Sequence, residues 1–364
     1  MITIIGGGVL GLTIGWYLAQ ANRQVTIVEQ RRIGTGATQA AAGMMMPWRL
    51  SENFSPDLFA LQRQSHDLWP DFAKTLHHQT NIDIQYKADG RYFVALEDRA
   101  LERTQRRYDY HRALDFPLEW LSGDEARRRV PQLGPKIRAA IFSPWGHQVD
   151  NRSLTLALQQ AFLQAGGVIR EETPVSKIVI TNDQVQGVQL EQEMLPAETV
   201  VVAAGAWSGG IKGVPRYLTS AIYPIKGQTI TLQMSPDNPL IDCSILGPVY
   251  LTPRQDGRLI IGSTVERRAG FDTQSTAGGV ARMLSKAQAI IPAVKDLPLI
   301  EMGAGLRPTT ADRTPILGPT SVPGLVMATG SYSYGILLSV AIAQGISRHI
   351  LTGGTPETIE PFLP

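Results

Sequence analysis

The sequence has almost no cysteine: Cys243 is the single thiol among 364 residues. One thiol excludes an intrachain disulfide and a metal centre with cysteine ligands, and it suits a reducing, cytoplasmic compartment. Histidine is also sparse, and the adjacent His77 and His78 lack the partner spacing of a metal site. We therefore expect no bound metal, and the scattered histidines form no Ser-His-Asp set.

Neither sign of charge is in excess, since 34 basic and 32 acidic residues leave a net charge of +2. This balance does not favour nucleic acid or an anionic membrane as a partner. The basic stretch 103–112 contains aromatic residues, and it fits a solvated helix face better than a nucleic-acid contact. No uncharged apolar run of 18 residues is present, and the first apolar run is broken by glycines, so we expect neither membrane insertion nor a signal peptide.

The first thirty residues carry a pattern typical of dinucleotide binding. A short apolar run is followed by G-x-G-x-x-G over residues 6–11 and then by apolar residues at helical spacing. Gly6 permits the turn from strand to helix, Gly8 lets a pyrophosphate approach the backbone, and Gly11 lets the helix pack closely on the strand. The phosphates then bind the N–H groups at the helix N-terminus.

The acid that follows this pattern narrows the choice of dinucleotide. Glu29 ends the second apolar run, 18 residues after Gly11, where an acid binds a ribose hydroxyl and disfavours the 2′-phosphate of NADP. FAD and NAD remain. The segment 31–47 is rich in Gly and Ala and is apolar, so its backbone can lie against a large planar ligand. It indicates a flavin rather than a flexible surface loop.

Later parts of the chain repeat strand-to-glycine turns near residues 205 and 330. Residues 82–96 alternate around a glycine and predict a hairpin. Three further β-rich runs predict antiparallel sheet: 223–234, 248–266 and 299–319.

Several motifs occur together in an order that resembles one family. They are IIGGGVLGLTIGWYLA, GATQAAAGMMMP, TVVVAAGAWS, PIKGQ, VYLTPRQDGRLIIGSTVE, GAGLRPTTADRTPILGP and ATGSYSYGILLS. Through them nearly the whole chain resembles the D-amino acid oxidase superfamily of FAD-dependent oxidoreductases. Within the superfamily it is most similar to the glycine oxidases of thiamine biosynthesis.

The resemblance implies an α/β fold (α+β, two domains). A Rossmann-like FAD-binding domain of the glutathione reductase/D-amino acid oxidase type is expected from residues 1–80, 140–215 and 305–364. An inserted antiparallel-sheet substrate domain is expected from residues 81–139 and 216–304.

The resemblance also implies FAD in an extended form. Leu306 stands where relatives with covalent flavin carry a cysteine, and Cys243 is distant in the pattern, so non-covalent FAD is expected. The implied cofactor-binding residues are Gly6, Gly8, Val9, Leu10, Gly11, Glu29, Gln30, Arg31, Thr38, Ala41, Ala42, Gly43, Met44, Val175, Ala203, Ala204, Gly205, Trp207, Arg307, Gly330, Gly335, Ile336 and Leu337.

On the substrate side, Arg307 matches the family arginine that pairs with a carboxylate, and Tyr250 matches a tyrosine that binds the same group. A structural salt bridge for Arg307 and ordinary sheet packing for Tyr250 are the alternatives. The chain departs from the family twice, with Ser333-Tyr334 in place of Arg-Asn and Pro248 in place of His. The implied pocket residues are Ser333, Tyr332, Tyr334, Pro248 and Val265, and core packing is the alternative for Tyr332 and Tyr334.

The implied activity is oxidation of a small amino acid or amine (glycine, sarcosine or a small D-amino acid). The amine gives hydride to the flavin, the imine yields a keto acid and ammonia, and dioxygen becomes hydrogen peroxide. Two alternatives remain open: a dehydrogenase that passes electrons to a quinone or another carrier, and a non-catalytic flavoprotein subunit. A homo-oligomer, tetrameric by resemblance, is expected.

Overall fold

The computed structural model of the chain describes residues 1–47 and 55–364. Its helices in these ranges are α1 (Val9–Gln20), α2 (Ala37–Ala40), α3 (Pro56–Thr80), α4 (Asp98–Arg112), α5 (Gly123–Arg129), α6 (Asn151–Gln164), α7 (Arg216–Thr219), α8 (Ala277–Ile290) and α9 (Gly335–Thr352). Short 3₁₀ helices cover Gly205–Gly210, Pro292–Asp296 and Glu360–Phe362.

The strands in the same ranges are β1 (Ile2–Ile5), β2 (Val25–Val28), β3 (Met44–Met45), β4 (Arg91–Ala95), β5 (Glu119–Ser122), β6 (Ala139–Ser143), β7 (His147–Gln148), β8 (Val168–Arg170), β9 (Lys177–Thr181), β10 (Gln184–Gln189), β11 (Met194–Pro196), β12 (Thr199–Val202), β13 (Tyr223–Gln233), β14 (Ser244–Leu246), β15 (Tyr250–Pro253), β16 (Arg258–Gly262), β17 (Leu299–Thr309), β18 (Ile316–Pro319) and β19 (Leu325–Thr329).

A six-stranded sheet with the order β18-β19-β12-β1-β2-β8 carries the glycine-rich turn. All its neighbours pair in parallel except β18 and β19. Strands β1 and β2 are buried along their whole length, which explains why both consist of β-branched residues, mostly apolar, without alternation of apolar and charged positions. Helix α1 packs between this sheet and helices α6 and α9.

An eight-stranded sheet with the order β17-β13-β16-β15-β14-β4-β6-β5 forms the second layer. It is antiparallel except where β14 pairs with β4. One face covers an apolar core with α8, in which Ile230, Leu251 and Ile261 meet Met283. Directly paired residues share a face, so the register assigns Thr229, Gly262 and Tyr250 to the opposite face.

The predicted hairpin over residues 82–96 is wrong. Strand β4 pairs with β6 and β14, whereas Lys87 forms a bridge with Gln148. The two halves therefore take separate partners from the chain after residue 138. An alternating pattern indicates which face of a strand is buried, but it does not indicate which strand lies beside it.

Two strands, β6 and β17, cross the predicted domain limits at residues 140 and 305. The division of the chain into these two domains stays a prediction.

Helix α9 is long and apolar enough to span a membrane, and 61% of its 18 residues are buried inside the protein. Its residues Leu338, Val340 and Ile342 belong to the main core, as in the central helix of a globular protein.

We predict that Gly11→Ala destabilises the protein strongly. A Cβ at Gly11 would overlap the carbonyl oxygen of Gly6, and neither residue can move freely, because Gly11 lies within α1 and Gly6 directly follows β1. The expected loss in free energy of unfolding is more than about 2 kcal/mol, measured by urea denaturation followed by circular dichroism.

The matched control is Gly278→Ala, also in the first turn of a helix. Its Cβ would meet only the tip of the Arg282 side chain at 3.4 Å. This variant should be neutral or more stable by up to about 1 kcal/mol, because alanine favours a helix over glycine. Equal stability of the two variants would contradict the close approach of α1 to β1.

Candidate FAD and amino acid site

The three glycines of the first turn differ in what surrounds them. Gly6 has a φ of +109°, and a Cβ there would lie 2.5 Å from the carbonyl oxygen of Ala203. Gly6 and Gly11 are thus required by the packing of the protein itself. At Gly8 the nearest atom to a Cβ would be the hydroxyl oxygen of Thr38, at 3.4 Å. Gly8 leaves room that a ligand can use.

The start of α1 is suited to an anion. Gly8 provides no side-chain cap, and the first turn contains no acidic residue. The Val9 N–H donates to the Thr38 hydroxyl at 3.0 Å. Because the helix dipole favours negative charge at this end, the turn fits the pyrophosphate of a dinucleotide.

Glu29 lies where the adenosine half is predicted. Its carboxylate accepts the Gly7 N–H at 2.8 Å and the Arg31 N–H at 2.9 Å, one on each oxygen. Each oxygen keeps a lone pair that a ribose hydroxyl can use. The Arg31 guanidinium lies 5.6 Å from the centre of the Trp207 ring, beside the second glycine turn.

The Gly/Ala segment after residue 36 is held by side chains that the sequence analysis missed. The Asn151 amide donates to the carbonyl oxygens of Thr38 and Gln39, both at 2.8 Å. Arg254 donates to the carbonyl oxygen of Ala42 at 2.6 Å. Asn151 follows a helix start signal that the sequence does contain, but no local pattern indicated Arg254.

Gly43 completes this segment with a φ of +63°, and a Cβ there would overlap the Val149 carbonyl. Met44 follows in β3, paired with Gln148 of β7. The backbone from Thr38 to Met44 is therefore bound along its length, which suits a segment that must present carbonyl and N–H groups to a flat ligand.

A buried carboxylate supports Arg254. Asp150 is fully buried and caps α6, accepting the N–H groups of Arg152 and Ser153. Its Oδ2 lies 3.2 Å from Arg254 Nε and 2.7 Å from Arg258 Nη2. Burial alone would raise the pKa of Asp150, but the Ser153 N–H and the two guanidinium groups outweigh it and hold the pKa below its usual value. Burial lowers the pKa of Arg254 to about 10, which leaves it charged at neutral pH.

The last motif forms a turn before α9. Gly330 has a φ of +79°, Tyr332 has a φ of +48°, and α9 begins at Gly335 without a side-chain cap or an acidic first turn. The Thr329 hydroxyl donates to the carbonyl oxygen of Gly205 at 3.0 Å, which joins this turn to the second glycine turn.

Arg307 and Tyr250 lie on the same face of the eight-stranded sheet. The register pairs Tyr250 with Gly262 and brings Arg307 two positions beyond the Gly227–Gly305 pair. A Cβ at Gly227 would overlap the Arg307 guanidinium, and one at Gly262 would overlap the Tyr250 hydroxyl. The two glycines thus let the long side chains lie flat across the sheet and approach each other.

The Gly/Ala segment meets this same face. A Cβ at Gly305 would overlap the side chain of Ala40 in α2, so the helix rests directly on β17. Beside this contact lies a cavity of about 310 Å³. Its walls include Arg31, Gln39, Ala41, Trp207, Thr229 and Gly305.

Arg307 and Tyr250 are both hydrogen-bond donors at neutral pH. Burial raises the pKa of Tyr250, and the Arg307 guanidinium opposes that shift without reversing it. Arg307 donates to the Ser263 hydroxyl at 2.6 Å and to the Thr264 carbonyl oxygen at 3.4 Å. A guanidinium beside a phenol can hold a carboxylate.

The remaining predicted pocket residues are more scattered. Tyr332 is buried, and Ser333 and Tyr334 are half-buried at the start of α9. Pro248 is exposed in the loop between β14 and β15. Val265 is 53% exposed and follows Thr264, whose carbonyl oxygen accepts from Arg307. Across residues 1–47 and 55–364, no group of three or more potential ligands could hold a metal ion.

Comparison with known proteins defines the class. The family model described as FAD dependent oxidoreductase matches residues 1–348. The glycine oxidase of Geobacillus kaustophilus is 33% identical over 99% of this chain and 95% of its own length. That of Pseudomonas putida is 31% identical over 98% and 95%. The crystal structure of the Bacillus cereus glycine oxidase superposes with a TM-score of 0.92, at 30% identity, over 100% of this chain and 98% of that one.

The chain therefore belongs to the FAD-dependent oxidoreductase family that includes D-amino acid oxidase. The predicted fold class and the assignment as an FAD-dependent oxidoreductase are confirmed. The individual cofactor and substrate residues stay predictions, and the geometry above is consistent with most of them.

We predict that Asp150→Asn lowers the free energy of unfolding by about 3 kcal/mol. Asparagine can still cap α6, but Arg254 and Arg258 lose their buried counter-charge. The matched control is Asp256→Asn, because Asp256 also pairs with Arg258 but is exposed. That variant should lose less than about 1 kcal/mol in urea denaturation.

The free energy of unfolding should also depend on pH through Asp150. Since the pKa of Asp150 is lowered in the folded protein, its contribution is present above about pH 4 and is lost as the pH falls. Asp150→Asn should therefore flatten the acid limb of the stability profile. An unchanged limb would remove Asp150 from the set of groups that stabilise the fold.

Proposed function

We propose that this protein is an oxidase of a small amino acid or amine, of the glycine oxidase type. Glycine, sarcosine or a small D-amino acid would be oxidised to the imine, which water hydrolyses to a keto acid and ammonia (methylamine from sarcosine), while dioxygen becomes hydrogen peroxide. The observation that carries the proposal is the convergence of Arg307 and Tyr250 on one sheet face beside the Gly/Ala segment. The names of the relatives support it.

The protein's own residues bind and orient the substrate in this proposal. Arg307 grips the substrate carboxylate with parallel N–H donors, and Tyr250 on β15 adds a third donor. The bound FAD would accept the two electrons of the amine oxidation and deliver them to dioxygen. The C–H bond that breaks gives its electrons to the flavin and requires no general base on the protein. Orientation of the substrate by these donors is therefore the main task of the protein.

We further propose that the FAD is held without a covalent link. Leu306 occupies the place of the flavin-linked cysteine of some relatives and is only 1% exposed. Burial raises the pKa of the Cys243 thiol to about 12, and Cys243 packs against the core on the other face of the sheet. A protonated, buried thiol is a poor nucleophile.

Substrate size is the part of the proposal that the motif departures affect. With Ser333 and Pro248 in place of the basic residues of the family, the carboxylate relies more on Arg307 and Tyr250. In this proposal Tyr332 and Tyr334 would form apolar walls beside α9, and such walls would favour a small or apolar substrate. We also propose a homo-oligomer, since Leu299, Ile300 and Met302 expose apolar surface on the edge strand β17. The single cysteine supports the proposal of a reducing, cytoplasmic location.

The activity can be tested with the purified yellow holoenzyme. Glycine, sarcosine and small D- and L-amino acids are mixed with it in the absence of oxygen, and the flavin absorbance is followed near ~450 nm, where reduction bleaches it. We expect bleaching by at least one of them, and recovery with peroxide formation when air is admitted. Bleaching without recovery in air would indicate a dehydrogenase, and the absence of bleaching by any compound would contradict the proposal.

We predict that Arg307→Lys lowers kcat/KM for the best substrate by about a hundredfold, because an ammonium cannot make two parallel bonds to a carboxylate. The FAD content should stay at the wild-type level, as measured from the ratio of flavin to protein absorbance. The matched control is Arg282→Lys on the exposed side of α8, which should keep wild-type kinetics. Unchanged kinetics in Arg307→Lys would exclude Arg307 from substrate binding.

A further inference from the structure

The side chain of Ser263 lies between the two proposed substrate-binding groups. Its hydroxyl oxygen is 2.6 Å from Arg307 Nη2. The Tyr250 hydroxyl rests on Gly262, the residue before Ser263, and hydrogen bonding from the Ser263 side chain opposes the rise that burial causes in the pKa of Tyr250. One small hydroxyl therefore touches both Arg307 and Tyr250, which come from strands that are not neighbours in the sheet.

The direction of these hydrogen bonds follows from their chemistry. A guanidinium can only donate, so the Ser263 oxygen accepts from Arg307. A carboxylate can only accept, so with a substrate bound the Tyr250 hydroxyl donates its hydrogen bond to the carboxylate. The phenol oxygen is then the acceptor for Ser263, whose single proton points at Tyr250. Ser263 thus completes a series of hydrogen bonds that runs from Arg307 through Ser263 and Tyr250 to the carboxylate.

The loop that carries Ser263 is fixed from its far side. The Thr264 hydroxyl accepts the Gln228 N–H at 2.9 Å and donates to Glu266 at 2.5 Å. The Glu266 N–H donates to the carbonyl oxygen of Lys226 at 2.9 Å. The buried Lys226 ammonium in turn pairs with Asp272 at 2.5 Å. Ser263 is therefore a preorganised contact rather than a side chain on a free loop.

We propose that Ser263 is a positioning residue that links Arg307 to Tyr250 and directs both as donors toward a substrate carboxylate. The inference rests on the proposed function of this site. It assigns to Ser263 a part in selecting carboxylates over neutral groups of similar size, because the direction of these hydrogen bonds suits a ligand that accepts and not one that donates.

The test uses the FAD-loaded enzyme and acetate, a carboxylate that has no amine to oxidise. Its Kd is measured from the perturbation of the flavin spectrum in wild type, Ser263→Ala, Ser263→Thr and Arg307→Lys. We expect Ser263→Ala to raise the Kd and the KM by about tenfold, as for the loss of a hydrogen bond to a charged group, and to leave kcat within a factor of two. Ser263→Thr keeps the hydroxyl and should return both constants to within about threefold of wild type.

The control is Ser285→Ala on the exposed side of α8, which should match wild type. If Ser263→Ala binds acetate as wild type does while Arg307→Lys does not, the role of Ser263 is wrong and the proposed function stands. If Ser263→Ala weakens binding but Ser263→Thr does not restore it, the hydroxyl is not the cause and the inference also fails. If wild type does not bind acetate and Arg307→Lys changes no constant, the proposed function fails, and the inference fails with it.

Discussion

A single buried carboxylate, Asp150, connects the two sheets of this protein. It caps helix α6, and it neutralises Arg254 and Arg258, which come from the eight-stranded sheet. Arg254 then reaches the carbonyl oxygen of Ala42 in the segment between the sheets. A buried charge is costly unless it is fully paired, so this arrangement tolerates few alternatives. The backbone that faces the predicted flavin is held in place as a consequence.

The second constraint is the removal of side chains where two groups must meet. Gly227 and Gly262 lie under the Arg307 guanidinium and the Tyr250 hydroxyl. Glycine weakens a strand because it packs no side chain and costs more entropy to order. Its occurrence inside β13 and at the end of β16 is explained by the Arg307 and Tyr250 side chains that lie across these positions, and not by the sheet itself.

The two layers divide the work of the site. The parallel sheet supplies helix starts and glycine turns, whose N–H groups and free space suit phosphates and a flat ring system. The antiparallel sheet supplies a face with long polar side chains at defined spacing. Its opposite face is apolar and packs on α8, so the sheet can present Arg307 without losing its own core. The contact between Ala40 and Gly305 brings the two layers together.

The sequence by itself determined the glycine-rich turn and the acid at Glu29, because both depend on short spacings that local geometry imposes, and its resemblance to one family implied the class of fold. It did not determine the partners of residues 82–96, because alternation fixes a face and not a neighbour. Nor did it indicate Asn151, Arg254 or Ser263, each of which donates to or accepts from a residue more than 40 positions away. Only the tertiary structure decided these contacts, since a hydrogen bond between distant segments depends on how the sheets pack and leaves no pattern in the residues beside it.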